Sequence, residues 1–101
     1  MKWVSVVLSV PFEGEFTYSV PEKMEDEAKF GRRVMVPFGK AKKTAFIIKE
    51  IYTKPEVEFE IKDIDRVVDK EEVFNKDLLD TAVWMSNMYL SPVGVNLSSM
   101  I

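Results

Sequence analysis

Short runs of alternating apolar and polar residues, each closed by proline or glycine, restrict this chain to a small β-structure. In EFTYSV (15–20), Phe16, Tyr18 and Val20 share one face and Glu15, Thr17 and Ser19 the other, with Pro21 closing the run. RRVMVPF (32–38) sets Val34, Val36 and Phe38 against Arg33, Met35 and Pro37. Pro37 donates no ladder hydrogen bond, so it belongs near an edge or at the strand's end. Before these, WVSVVLSV (3–10) alternates loosely and is valine-rich, and PFEGEF supplies a turn at Gly14. After them, GKAKK (39–43) reads as a polar hairpin loop, and TAFIIKEIY (44–52) as a strand buried on both faces.

A fifth strand is expected over 57–68, where Val57, Phe59 and Ile61 oppose Glu58, Glu60 and Lys62, with a bend near Lys62. The period then changes. Asn75 is a suitable N-cap, and Leu78, Ala82, Met85 and Tyr89 recur at helical spacing, so a helix is expected from about 76 to 90, ending before Pro92. Between strands two and three, the acidic EKMEDEAKF has room for one helical turn before Gly31. The expected class is mainly β with one C-terminal helix (α+β), as a small OB-like β-barrel of about five or six strands. Residues 1–75 would form the barrel. Residues 76–101 would form the helix packed on it and the start of a linker, an arrangement suited to the N-terminal piece of a longer protein.

Composition removes whole classes of chemistry. The chain contains neither cysteine nor histidine. Disulfides and thiolate metal sites are therefore excluded, and the usual general base and commonest transition-metal ligand are missing. FGKAKKT is not a phosphate loop: Val34 stands where the first glycine is required, and Ala41 follows Lys40 in place of Ser or Thr. The carboxylates of 13–27 match no calcium loop and read as a solvated connection. Ser-Lys pairs aside, no nucleophile–base–orienter constellation can be drawn without histidine or cysteine, so this domain is not expected to be an enzyme, and no metal or cofactor is expected in it. No apolar run approaches the roughly 20 residues of a membrane span, and the start lacks a signal-peptide core, so a cytoplasmic protein is expected.

Net charge is −3, yet residues 31–43 carry Arg32, Arg33, Lys40, Lys42 and Lys43 with no acid. Local field rather than net charge governs attraction over a Debye length of about 8–10 Å. Phe16, Tyr18, Phe38 and Lys62 accompany this basic stretch. Two readings stay open from the residues alone: the aromatics are core and the lysines a solvated tip, or together they bind an anion.

PFEGEFTYSVPE followed by GRRVMVPFGK resembles the opening of the PriA family of primosomal replication-restart helicases. IKDIDRVVDKEEVF and LLDTAVWMSNMYLSPVGVNL continue that resemblance in order and at matching spacing, so it spans essentially the whole chain. It implies an N-terminal domain that recognises the 3′ end of a DNA strand at stalled replication forks. The full-length protein it implies is an ATP-dependent DNA helicase acting with primosome and single-strand-binding proteins, close to the nucleoid. The ATP-binding lobes and zinc-binding cysteines of that family belong to later domains. The family's terminal-nucleotide pocket uses an aromatic-Asp-Tyr strand, the glycine of Pro-Phe-Gly and a later lysine. The matching residues are Phe16, Thr17, Tyr18, Gly39 and Lys62. Thr17 departs from the pattern, since the well-known member has aspartate there, and a hydroxyl replaces a carboxylate. Arg32, Arg33, Lys40, Lys42 and Lys43 would add weaker attraction to the DNA backbone. The alternative is a protein-interaction barrel that docks an acidic partner through the basic hairpin, with no end-specific DNA binding.

Overall fold

The computed structural model describes residues 1–11 and 14–101, so Phe12 and Glu13 of the first expected turn lie outside the described residues. Five strands and two helices succeed one another in chain order: β1 (Lys2–Leu8), β2 (Phe16–Val20), β3 (Arg33–Phe38), β4 (Ala41–Ile51), β5 (Arg66–Val67), α1 (Lys76–Tyr89) and α2 (Val93–Met100). The strands form one sheet in the order β2-β1-β4-β3-β5, every neighbouring pair antiparallel.

Sequence patterning accounts for the sheet's two faces. Val4, Val6 and Leu8 of β1, Tyr18 and Val20 of β2, Val34 and Val36 of β3, and Ala45 and Ile47 of β4 gather in one buried cluster, the barrel interior. On the opposite face Val7 and Phe46 meet Phe74, Ala82 and Leu97 beneath the helices. β1 is buried along its whole length, because it lies centrally and is covered on both sides. A register shift between Ser5 and Val6 marks a β-bulge, where the β4 partner steps from Lys49 to Ile47 and the sheet bends.

The expected strand over 57–68 is corrected. Residues 57–62 join no ladder, and regular pairing is confined to Arg66–Val67. Alternation specifies which face would be buried, but the two free edges of the sheet are taken by residues 62–68 instead. Ser19 N donates to Lys62 O (2.9 Å) and Ile64 N to Ser19 O (3.0 Å), around a parallel bridge between Ser19 and Asp63. Asp65 N then donates to Met35 O (2.8 Å) and Val68 N to Arg33 O (2.9 Å). This segment thus ties the β2 edge to the β3 edge, with Ile64 buried between them. One straight strand cannot pair with both edges, so the segment bends, and the sheet is curled into a small barrel.

The hairpin also differs from expectation. Phe38 pairs with Ala41, so the loop is only Gly39–Lys40, and Lys42 and Lys43 belong to β4. Gly39 has φ +63°, the positive value that a type II′ turn requires at its first central residue. α1 begins as the sequence indicates, with Asn75 Oδ1 accepting from Leu78 N at 2.9 Å. A second helix, α2, stands where the sequence suggests only the start of a linker. It packs so closely on β1 that a Cβ at Gly94 would overlap the Leu8 carbonyl. Buried Asn96 joins it to α1 by donating from Nδ2 to Ala82 O (3.0 Å) and accepting from Ser91 Oγ (2.9 Å).

Candidate functional site

Three separated segments meet at one end of the barrel around a cleft of about 280 Å³. β2 contributes Phe16, Thr17 and Tyr18, the β3–β4 turn contributes Pro37, Phe38 and Gly39, and the irregular stretch before β5 contributes Phe59, Glu60 and Lys62. All five residues expected to form a terminal-nucleotide pocket line this single cleft, together with Glu15.

Each is placed by an identifiable interaction. Tyr18 faces inward and is buried, and its hydroxyl donates to Pro37 O at 2.8 Å, joining β2 to the end of β3. Burial pushes the Tyr18 phenol above its ordinary value, so it stays protonated and able to donate. Pro37 lies past the last residue of β3 that pairs with β5, leaving its carbonyl available for that bond. Phe16 and Phe38 stand edge to face, centroids 5.3 Å apart at 81°. Lys62 is carried to the rim by the bond from Ser19 N to its carbonyl, and its own side chain is exposed. Apart from its chain neighbours, no atom of the described residues lies within 4 Å of where a Cβ at Gly39 would stand, so this corner of the cleft is open backbone.

Charge in the cleft is mixed. Lys62 is its one cation among the lining residues, which also include Glu15 and Glu60. Glu15 accepts from Ser5 Oγ at 2.9 Å, whereas Glu60 has no hydrogen-bond or ion-pair partner among the described residues.

The basic stretch does not act as one unit. None of Arg32, Arg33, Lys40, Lys42 and Lys43 lines the cleft. Arg33 grips Asp69 with two guanidinium bonds (Nε 2.9 Å, Nη2 2.8 Å), while its own backbone N donates to the same carboxylate. The bond from Arg33 draws the Asp69 carboxyl below its ordinary value and raises the guanidinium in turn. Arg33 therefore fastens β3 to the chain beyond β5. Lys42 pairs with Asp65 (2.8 Å) at the surface, and Arg32 donates to Glu27 O (2.9 Å). Lys40 is exposed in the turn, and half-buried Lys43 sits opposite Val36, on the face that continues the barrel interior.

Sequence reasoning missed Phe59. Its alternation with Glu58 and Glu60 imitates a strand face, which hides an exposed ring at the cleft's rim. The neighbouring Pro55 and three glutamates within five residues (56–60) were the available signal that no ladder forms there.

Comparison with known proteins gives the family. A family model described as the 3′DNA-binding domain (3′BD) of PriA matches residues 5–101. The chain belongs to this family. It is 34% identical over 103 residues to the replication restart protein PriA of Treponema pallidum (strain Nichols), covering 98% of this chain and 16% of that protein. PriA of Haemophilus influenzae (strain Rd) is 36% identical over 95 residues, covering 93% of this chain and 13% of its own. PriA of Buchnera aphidicola is 34% identical over 92 residues, covering 90% and 12%. The chain thus spans between 12 and 16% of the length of these relatives. No helix among the described residues is long and apolar enough to cross a membrane.

Proposed function

We propose that the cleft takes the last nucleotide of a single DNA strand and that the domain recognises 3′ ends in replication restart. The observation that carries this reading is the convergence of Phe16, Thr17, Tyr18, Gly39 and Lys62 on one cleft from three segments of chain. At about 280 Å³ the cleft lies at the small end of ligand pockets, which run from about 300 to 1,000 Å³. Its size suits one terminal unit, and in this reading a strand continuing past its 3′ oxygen is excluded. Selection for an end then comes from exclusion.

Chemistry supports the same assignment. Aromatic edges and an open glycine backbone read no particular base, so any terminal nucleotide is accepted. Lys62 supplies the cation for the last bridging phosphate. Glu15 and Glu60 favour a group that donates a proton and repel one that adds negative charge, so a free 3′-hydroxyl suits them and a 3′-phosphate does not. Thr17 offers a hydroxyl that can donate or accept at the same rim. Of the flanking cations, Lys40 and Lys43 are the ones without a protein partner among the described residues, and they would add sequence-blind attraction. With about three phosphates neutralised, the salt slope should be near −2. Docking of an acidic protein partner has less behind it, because Arg33 and Lys42 of the basic stretch are already ion-paired.

Fluorescence anisotropy with one labelled oligonucleotide, ended by either a 3′-hydroxyl or a 3′-phosphate, tests the proposal. The hydroxyl form is expected to bind at least tenfold more tightly, and equal affinities would reduce the domain to a general strand binder. Serving the fork as part of a helicase is proposed from the relatives, whose remaining length this chain does not include.

A further inference from the structure

A nucleotide seated in the cleft must be joined on its 5′ side to a chain that leaves across the rim, and Phe59 stands on that rim. The other rings of the site are constrained. Phe16 and Phe38 hold each other edge to face, and Tyr18 is 6% exposed with its hydroxyl fixed on Pro37. Phe59 is 66% exposed and borders two concavities at once. On one side lies the cleft with Lys62. On the other lies a hollow of about 350 Å³, lined among others by Trp3, Lys54, Pro55 and Ile61. Glu60 borders both hollows beside it.

A lone exposed phenylalanine is unremarkable on a protein surface. This one forms the wall between a cleft proposed for a terminal nucleotide and a second hollow that contains an exposed lysine. We propose that Phe59 is a second nucleotide subsite: the penultimate base stacks on its ring, and the strand continues into the adjacent hollow, where Lys54 meets a backbone phosphate. The inference rests on reading the cleft as a 3′-end site. Stacking on a single ring tolerates any base, so the second subsite lengthens the contact without adding sequence preference.

Oligonucleotides ending in a 3′-hydroxyl and carrying 2-aminopurine at either the last or the penultimate position separate the two subsites. In the wild-type domain both probes should be quenched. Phe59→Ala should abolish quenching at the penultimate position and weaken binding about 5- to 150-fold. It should leave the terminal probe quenched, the preference for hydroxyl over phosphate intact and thermal stability unchanged, since the ring is exposed. Phe59→Trp should restore the penultimate signal, and Lys54→Ala should reduce the salt slope by about 0.7. Unchanged affinity and unchanged penultimate quenching in Phe59→Ala would overturn the second subsite while leaving the 3′-end cleft standing. Equal loss at both probes would also overturn it, by assigning Phe59 to the terminal pocket. A wild-type domain indifferent to the 3′ group would overturn the reading of the cleft itself.

Discussion

Two regions of this barrel are finished in opposite ways. At the end where β1 begins, Lys2 is almost wholly buried, and every group it needs is supplied. Its ammonium donates to Glu25 O and to Glu50 Oε1, both at 3.0 Å, and lies 5.5 Å from the centre of the Tyr52 ring. Glu50 in turn accepts from Phe30 N (3.0 Å) and from the Tyr52 hydroxyl (2.9 Å). The connection between β2 and β3 caps this end, with Ala28 buried in the interior cluster. Around the cleft Lys62 is exposed, Glu60 is unpartnered among the described residues, and Phe59 faces solvent, on the partition toward the hollow beside Trp3. Satisfied polar groups mark the end that holds the fold together. Polar groups left to solvent mark the region available to a ligand.

If that contrast is real, damage at the closed end should cost stability and spare recognition. The largest effect is expected from Glu50→Ala, which leaves the Lys2 ammonium buried beside one carbonyl. Removing one partner of a buried ion pair costs about 3–5 kcal/mol, and the partial exposure of Glu50 places this case near the lower bound. Lys2→Met should cost much less, because it removes the buried charge and leaves Glu50 with Phe30 N and Tyr52. Urea denaturation measures both, and similar losses for the two variants would contradict the account of the closed end.

The mirror experiment is Lys62→Ala. The side chain is exposed and its backbone bonds remain, so the unfolding midpoint should not move. Loss of a charge-assisted contact to phosphate should weaken binding of a 3′-hydroxyl oligonucleotide by about 10- to 100-fold. A shift in stability without a change in affinity would make Lys62 part of the scaffold. Tyr18→Phe probes the link between β2 and the cleft floor with a smaller effect. It leaves Pro37 O without its donor and should cost about 1 kcal/mol in stability. Affinity should fall only as far as the cleft floor loosens, which calorimetric titration alongside thermal melting would resolve.

What could be read in advance respects the same division. Strands β2, β3 and β4 were legible because alternation, Pro21 and Gly39 are local signals, and so was the start of α1 at Asn75. The five cleft residues were placed by a family resemblance, and composition alone left them undecided between core and ligand site. The rest depended on partners distant in the chain. Arg33 looks like one of five similar cations until Asp69, thirty-six residues on, is seen to hold it. Val57, Phe59 and Ile61 alternate as a strand should, but no edge is offered to them. α2 contains a glycine and two serines, which favour helix weakly, and it exists through its seat on β1 and the Asn96 bonds to α1. Local patterning writes elements; it does not say which edges remain free.

Acid should weaken the closed end, and the effect should be small near neutrality. Burial alone would raise the Glu50 carboxyl, but the bonds from Phe30 N, Lys2 and Tyr52 together bring it below its ordinary 4.5. Asp69, bonded by Arg33, falls below its ordinary 3.8. A carboxyl whose folded value is depressed adds stability that is complete above its unfolded value and disappears as pH falls through the folded one. Stability should therefore be level from neutrality down to about pH 5, decline below 4.5, and decline further below 3.8. Glu50→Gln should remove the first part of that decline, and Asp69→Asn the second. The chain has no histidine, so DNA affinity between pH 6 and 8 should be flat. Denaturation midpoints measured from pH 7 to pH 3 check the two steps. A rise in stability as pH falls from 6 toward 5 would mean that a carboxyl is held above its ordinary value, and the assignment of the closed end as the satisfied one would be reversed.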